Sequence, residues 1–490
     1  MGIYKSYFIY ITKEDIKMSD QPNQTSSFLE KTFKLQENGT NVRTEIMAGI
    51  TTFITMAYII FVNPSILKEA GMNAQGLFGA EAAELSMVSD PVVGSVFIAT
   101  CLAAVVGSLL MGLLANLPFG LAPGMGLNAF FAYSVVLGLG YTWQQALAAV
   151  FISGILFIIM SYSGIRKGIV DALPQSLKNA ITGGIGLFIA FIGLINGHII
   201  VDDPATLVGF GNFTEPRTVL ALIGLAITGI LMVRKVRGSI LIGIVATTII
   251  GIPMGVVSLE GFSLVSAPPS LAPTFMKMDF AGLLNLNEGT TIFSAIVSVA
   301  TVVISFSLVD MFDTIGTLVG TATQANMVDE KGNVKNMGPA LYADAIATSV
   351  GAALGTSTTT TYVESAAGVS EGGRTGLTAV VIAALFLGAI FFWPLVGIVP
   401  AEATAPALMI VGVLMMSSVK NINFGDFSEA MPAFFTMAIM PLSYSIANGI
   451  AAGMIIYPIT KIATGKGKEV HPAIYILAIL FILRFTVLPK

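Results

Sequence analysis

The stretch GTSTTTTYVESAAGVSEGGRTG, residues 355–376, decides how this chain is read. A dense block of small and hydroxyl residues leads to one carboxylate, Glu364. Upstream, the apolar run from Thr290 to Thr321 carries two more acids, Asp310 and Asp313, three apart. One acid at the centre of an apolar crossing costs roughly 2.5–3.5 kcal/mol. Side chains retained at that cost are functional-site candidates, and here three fall close together.

The rest of the composition agrees with a bilayer setting. The 490 residues are 55% hydrophobic and 11% charged, with a mean hydropathy of +0.85, where a soluble domain carries about 25% charged residues. Many apolar runs approach the roughly 20 residues needed to cross a membrane. The 51 Gly and 21 Pro suit tightly packed or broken membrane helices. The chain reads as an all-α polytopic membrane protein.

A net charge of −4 with no long basic run excludes nucleic acid as a partner. The single cysteine, Cys101, rules out intrachain disulfides and a cysteine metal site. His198 and His471 are the only histidines, and both fall near segment ends. No nucleophile motif or metal-ligand spacing is present, so neither an enzyme nor a cofactor is expected. The opening MGIYKS fits the loose myristoylation pattern through Gly2 and Ser6. Ser6–Ile16 is too broken and charged for a signal peptide, and Met18 is an alternative start.

After a polar tail, residues 1–44, apolar segments fall at about 45–67, 91–115, 121–138, 143–163, 173–196, 217–233, 239–257, 290–321, 339–355, 357–370, 375–398, 402–419, 429–443 and 446–463. That makes fourteen. With the N-terminus in the cytoplasm, inner loops carry Arg166, Lys167, Arg234, Lys235, Arg237, Lys331, Lys335, Arg374, Lys420, Lys461, Lys466 and Lys468. Outer loops carry Glu69, Glu81, Glu84, Asp90, Asp202, Asp203 and Glu215. The positive-inside bias holds at nearly every step. The stretch Ile474–Leu488 reads either as an extra crossing or as a helix on the membrane surface.

Two crossings are unlike ordinary membrane helices. NLPFGLAPGMGLNAFF, Asn116–Phe131, has two prolines and three glycines; the tenth crossing is rich in β-branched Thr. The first predicts an extended part followed by a short helix, and the second a short strand that then turns through small residues. Extended backbone at membrane depth is tolerated only where protein or a water-filled cavity satisfies it. The two lie third in the first seven segments and third in the second seven. Seven is odd, so the halves have opposite topology. Matching broken segments point to a transporter's midplane site.

Asp310, Asp313 and Glu364 are the first candidates there, for binding N–H groups of a flat heterocycle and for proton coupling. Asp313 also has a plain reading, capping a turn or pairing with a cation such as Arg374. Asn128 can donate to and accept from a base edge, or hold two helices together. Phe119 and Tyr362 occupy similar places in the broken crossings, and either stack on a ring or pack. Three acids at a midplane site argue against an anionic substrate.

These residues lie in motifs with a family likeness. NVRTEIMAGITTFITMAYIIFVNPSIL (Asn41–Leu67), LPFGLAPGMGLNAFFAY (Leu117–Tyr133), SLVDMFDTIGTL (Ser307–Leu318) and TSTTTTYVESAAGVSEGGRTGLTAVV (Thr356–Val381) resemble the AzgA-like purine permeases. These are a branch of the nucleobase–cation symporters with the uracil-transporter fold. The likeness runs from about Phe33 to the C-terminus. It implies fourteen crossings in two inverted repeats, with a core body from 45–163 and 290–398. A gate body would come from 173–257 and 402–464, leaving 465–490 as a tail. It implies that guanine, hypoxanthine or adenine moves with protons through an elevator-like shift of the core. Asn128, Asp310, Asp313 and Glu364 match the family's polar residues, and Phe119 is the looser match for a ring-stacking aromatic. A xanthine or uracil symporter and an anion transporter of the same fold are the alternatives. Expected partners are the purine base, protons and membrane lipid in the plasma membrane, with a homodimer left open.

Overall fold

A computed structural model describes residues 28–83, 85, 90–163, 173–259, 263–284, 292–324, 327–328 and 334–487. The myristoylation pattern, Met18, Glu84, Arg166, Lys167 and Lys331 lie outside the described residues. Within them, all fourteen apolar segments take regular structure in the expected order.

The first crossing joins Val42–Met56 to Ile59–Glu69, and Asn41 caps it by accepting from the Thr44 N–H. The second, Pro91–Leu110, continues as a π-helical turn over Met111–Ala115. The third opens with strand β1 (Leu121–Pro123), then runs through Met125–Ala129 into the π-helical Phe130–Gly138. Helices Trp143–Ser163, Gln175–Asn196, Pro216–Val233 and Ser239–Gly251 complete the first seven. Between the fifth and sixth, β2 (Ile200–Asp203) and β3 (Leu207–Phe210) form a hairpin.

The second seven begins with Ile292–Gln324 and Met337–Leu354. Its third crossing is strand β4 (Thr359–Thr361) followed by Ser365–Ser370. Gly376–Ala389, Ala401–Met415, Phe427–Leu442 and Ile446–Ala463 follow.

One sequence boundary is corrected, and one open segment takes a definite form. The seventh helix stops at Gly251 instead of running to 257, because Pro253 lacks the N–H a further turn needs and Gly255 turns left-handed. The stretch beyond 474 is a helix, Pro472–Val487, packed on the eighth and fourteenth segments. Ile474 and Phe481 are buried in that packing, while Ile476 and Ile479 are more than half exposed. Many large apolar side chains around the bundle are likewise exposed, among them Leu113, Ile159, Ile230, Ile249, Val413 and Leu442. That surface suits lipid and not water.

The packing repeats under the operation that adds seven to a segment's number. The fourth packs on the ninth and the eleventh on the second. The sixth pairs with the seventh, and the thirteenth with the fourteenth. The sixth lies on the twelfth, and the thirteenth on the fifth. The pairs two–nine and five–twelve sit on the pseudo-two-fold axis itself. The second segment of each half ends on a left-handed residue, Asn116 with φ of 50° and Gly355 with φ of 103°. Each then leads into its strand.

Between apolar helices in lipid, association rests on close van der Waals packing of small residues. At the five–twelve contact, a Cβ added to Gly412 would sit 2.4 Å from the Gly186 carbonyl oxygen and 2.7 Å from Ala190 Cβ. Backbone cannot yield there without separating the helices. Gly412→Ala is therefore expected to destabilise the detergent-solubilised protein by about 1–3 kcal/mol, read as a lowered unfolding midpoint. An unchanged midpoint would mean the helices are not in backbone contact.

Candidate functional site

The two broken crossings meet in the middle of the bundle. β1 and β4 pair antiparallel, with Leu121 opposite Thr361, Ala122 opposite Thr360 and Pro123 opposite Thr359. The ladder extends one bond each way: Gly124 N–H donates to Thr358 O at 2.9 Å, and Tyr362 N–H to Gly120 O at 3.0 Å. Each strand's outer edge is clipped by a hydroxyl from the second helix of its own repeat. Ser108 Oγ bonds both the N–H and the carbonyl of Leu121. Thr348 Oγ1 donates to Thr359 O at 3.0 Å. The run Thr356–Thr361 is buried throughout, so these partners meet a demand that lipid cannot.

Helices start where the strands stop. Gly124 is the N-cap residue of the third-segment helix, and Glu364 that of the tenth-segment helix. Glu364 is half-buried, and Tyr58 of the first segment donates its hydroxyl to Glu364 Oε1 at 2.8 Å. Asp313, also half-buried, lies within electrostatic range of the Glu364 carboxylate and of the Tyr58 and Tyr362 hydroxyls. One turn earlier on the same helix, Asp310 is 1% exposed and sits 3.5 Å from Thr348 Oγ1, the hydroxyl that clips β4.

Tyr362 closes the site on the strand side. Its hydroxyl donates to Pro123 O at 2.5 Å, and its ring lies 6.5 Å from that of Tyr58. Asn128 is fully buried and accepts at Oδ1 from the Ser357 hydroxyl. Among the described residues its Nδ2 has no hydrogen-bond partner, and neither do the side-chain hydroxyls of Thr358, Thr359 and Thr361. Phe119 stands apart. It is fully buried in a separate apolar cluster with Met111, Leu117, Leu318 and Val369.

The fold thus gathers Glu364, Asp313 and Tyr362, ties Asp310 to β4 through Thr348, and ties Asn128 to the same strand through Ser357. Sequence reading did not find Tyr58, Ser357 or Thr348. Tyr58 had one usable signal, a hydroxyl-bearing ring inside an otherwise apolar run. The site offers carboxylate acceptors and an amide donor inside an apolar bundle. Those groups complement a small, flat, neutral molecule with both N–H groups and lone pairs on its edge. No three His, Cys, Asp or Glu among the described residues are grouped to hold a metal.

Comparison with known proteins adds to this. The sequence profile of the Permease family matches residues 43–452. The adenine permease AdeP of Escherichia coli is 45% identical over 94% of this chain and 97% of its own length. The guanine/hypoxanthine permease PbuG of Bacillus subtilis is 46% identical over 92% of this chain and 98% of its own. Among solved structures, the transmembrane domain of the cyanobacterial bicarbonate transporter BicA superposes with a TM-score of 0.56. It covers 84% of this chain and 97% of that one at 16% identity, a likeness of fold.

A buried hydroxyl without a partner costs about 1–3 kcal/mol in lost solvation. Thr358→Val, nearly the same shape, is expected to leave the unfolding midpoint equal or slightly higher. A destabilisation above about 2 kcal/mol would show that the hydroxyl is paired within the protein.

Proposed function

Since the chain belongs to the permease family of nucleobase–cation symporters, in its AzgA-like purine branch, we propose that it carries purine nucleobases across the membrane together with protons. The observation that carries this reading is the meeting of Glu364, Asp313 and Asn128 around the paired strands of two interrupted crossings. Relatives alike over nearly their full length are named adenine and guanine/hypoxanthine permeases.

Glu364 and Asp310 accept N–H bonds from the base. Asn128 Nδ2 donates to a ring nitrogen or carbonyl oxygen, and Tyr362 and Tyr58 bound the space beside Glu364. Phe119 reaches a ring only through rearrangement of the cluster around it. Backbone N–H groups at the start of Met125–Gly138 lack intrahelical acceptors and favour electron-rich groups nearby. Ionisable side chains kept within membrane crossings commonly serve proton relays, which supports coupling through Asp310, Asp313 or Glu364.

Movement follows from how the segments group. One to four and eight to eleven pack chiefly on one another, and so do five to seven and twelve to fourteen. The first set carries every proposed binding residue. It shifts as a core, residues 45–163 with 290–398, against a gate of 173–257 with 402–464. Arg374 donates its backbone N–H to Glu45 at the start of the first segment, and Arg237 pairs with the nearby Glu371, so these cations lie beside the N-terminal end, which supports a cytoplasmic N-terminus.

The test is uptake of labelled hypoxanthine, guanine, adenine and uracil in a deficient host, with and without a protonophore. Saturable purine uptake that collapses with the protonophore is expected. A hydrogen bond to a charged acceptor is worth about 1.5–3 kcal/mol, so Glu364→Gln and Asp310→Asn should each cut accumulation on the order of 10- to 100-fold. Membrane levels of both variants should stay unchanged. Normal hypoxanthine accumulation by either variant would break the site assignment.

A further inference from the structure

One buried carboxylate has no part in the site above. Glu69 ends the first segment and is 3% exposed. Its Oε2 accepts from the Tyr133 hydroxyl of the third segment at 2.8 Å. Its Oε1 accepts from Asn196 Nδ2, at the end of the fifth segment, at 2.9 Å. The first and third segments belong to the proposed core and the fifth to the proposed gate, so this carboxylate bridges the two bodies. The neighbouring Lys68 donates its ammonium to the carbonyls of Ala83 and Leu85, fixing the loop behind it.

The contact is built into its surroundings. Beside Tyr133, the Ser134 hydroxyl accepts from the N–H of Ile446, where the fourteenth segment begins. The Tyr444 ring stands edge-on to Tyr133 at 5.9 Å. Glu69, Tyr133, Asn196 and Tyr444 all line one cavity of about 690 Å³, which His198 and Glu402 also border. On the opposite face the bodies meet differently. Arg237, in the loop between segments six and seven, pairs with Glu371 after the tenth-segment helix. Adding seven to each segment relates this ion pair to the Ile446–Ser134 contact. The ion pair is solvent-exposed, with the Arg237 side chain 64% accessible, and exposed pairs hold weakly.

We propose that Glu69 and Asn196 form a latch that holds the bundle closed on the Glu69 face, and that this latch opens whenever the cavity there admits substrate to the central site. Glu69 is a positioning residue in this role, acting through Tyr133 and Asn196 and not on the substrate. Both acceptor oxygens are engaged by donors, so breaking the Asn196 bond strands a buried carboxylate oxygen unless water enters. Opening and wetting of the cavity therefore go together. The inference rests on the division into two bodies proposed above.

The test reads access to the cavity and needs no purine. Ser65 lines the same cavity one turn below Glu69 and is 5% exposed. With Cys101→Ser removing the native thiol, Ser65→Cys supplies one reporter. Its modification by a membrane-impermeant maleimide is timed in right-side-out and inverted vesicles. Asn196→Asp sets a second carboxylate against Glu69 and should raise the rate about tenfold or more from one side only. Asn196→Ala should raise it in the same direction without adding charge. The double variant Glu69→Gln with Asn196→Asp restores an amide–carboxylate pair in reverse, and Gln still accepts from Tyr133. It should return the rate to within about twofold of the parent.

Equal rates in the parent and in both single variants would overturn the latch. So would a double variant no slower than Asn196→Asp alone. Absent purine uptake with these labelling shifts intact would remove the substrate reading and leave the latch standing.

Discussion

The structure depends on one demand: peptide groups that leave helical geometry inside an apolar bundle must find partners within the chain. Two crossings break at mid-depth, and each would fail alone. Their strands pair with one another, and a hydroxyl from the preceding helix of each repeat closes the outer edge. Everything chemical is arranged about that ribbon. Glu364 stands where β4 gives way to its helix, Asn128 sits one turn beyond β1, and Thr348 links the β4 edge to Asp310.

The pseudo-two-fold explains the frame and its departures explain the function. Strand, clip and left-handed helix end recur in both halves. The carboxylates do not. All three acids of the site come from the second half, and the first contributes an amide and the Tyr58 hydroxyl. A symmetric frame thus holds an asymmetric set of polar groups, with the carboxylates from one half and an amide and a phenol from the other. The same departure appears at the two faces, where one junction is a buried hydrogen bond and its counterpart an exposed ion pair.

Much of this was legible in the chain because the bilayer leaves few choices. Length and hydropathy marked the fourteen segments, and Pro, Gly and Thr clusters at 116–131 and 355–362 marked the strands. What stayed hidden depends on neighbours distant in sequence. Tyr58 and Ser357 give no periodic signal, and only the folded chain brings them to Glu364 and Asn128. Glu69 reads as an ordinary charge at a segment end until Tyr133 and Asn196 close over it. Glu45 reads the same way at the start of the first segment. Yet it is fully buried and accepts from the backbone N–H groups of Arg374, Thr375 and Thr378. The surroundings of Phe119 were also beyond reach, because which aromatic faces a site and which fills a cluster is decided by packing between segments far apart in the chain.

The cross-repeat ribbon also sets an order of biogenesis. When the first seven segments leave the ribosome, β1 has no strand to pair with, because residues 359–361 have yet to be translated. Through that interval its exposed amides and carbonyls need water or an insertase to shelter them. Neither half can complete its broken crossing separately, so the ribbon closes only once the tenth segment has joined the third.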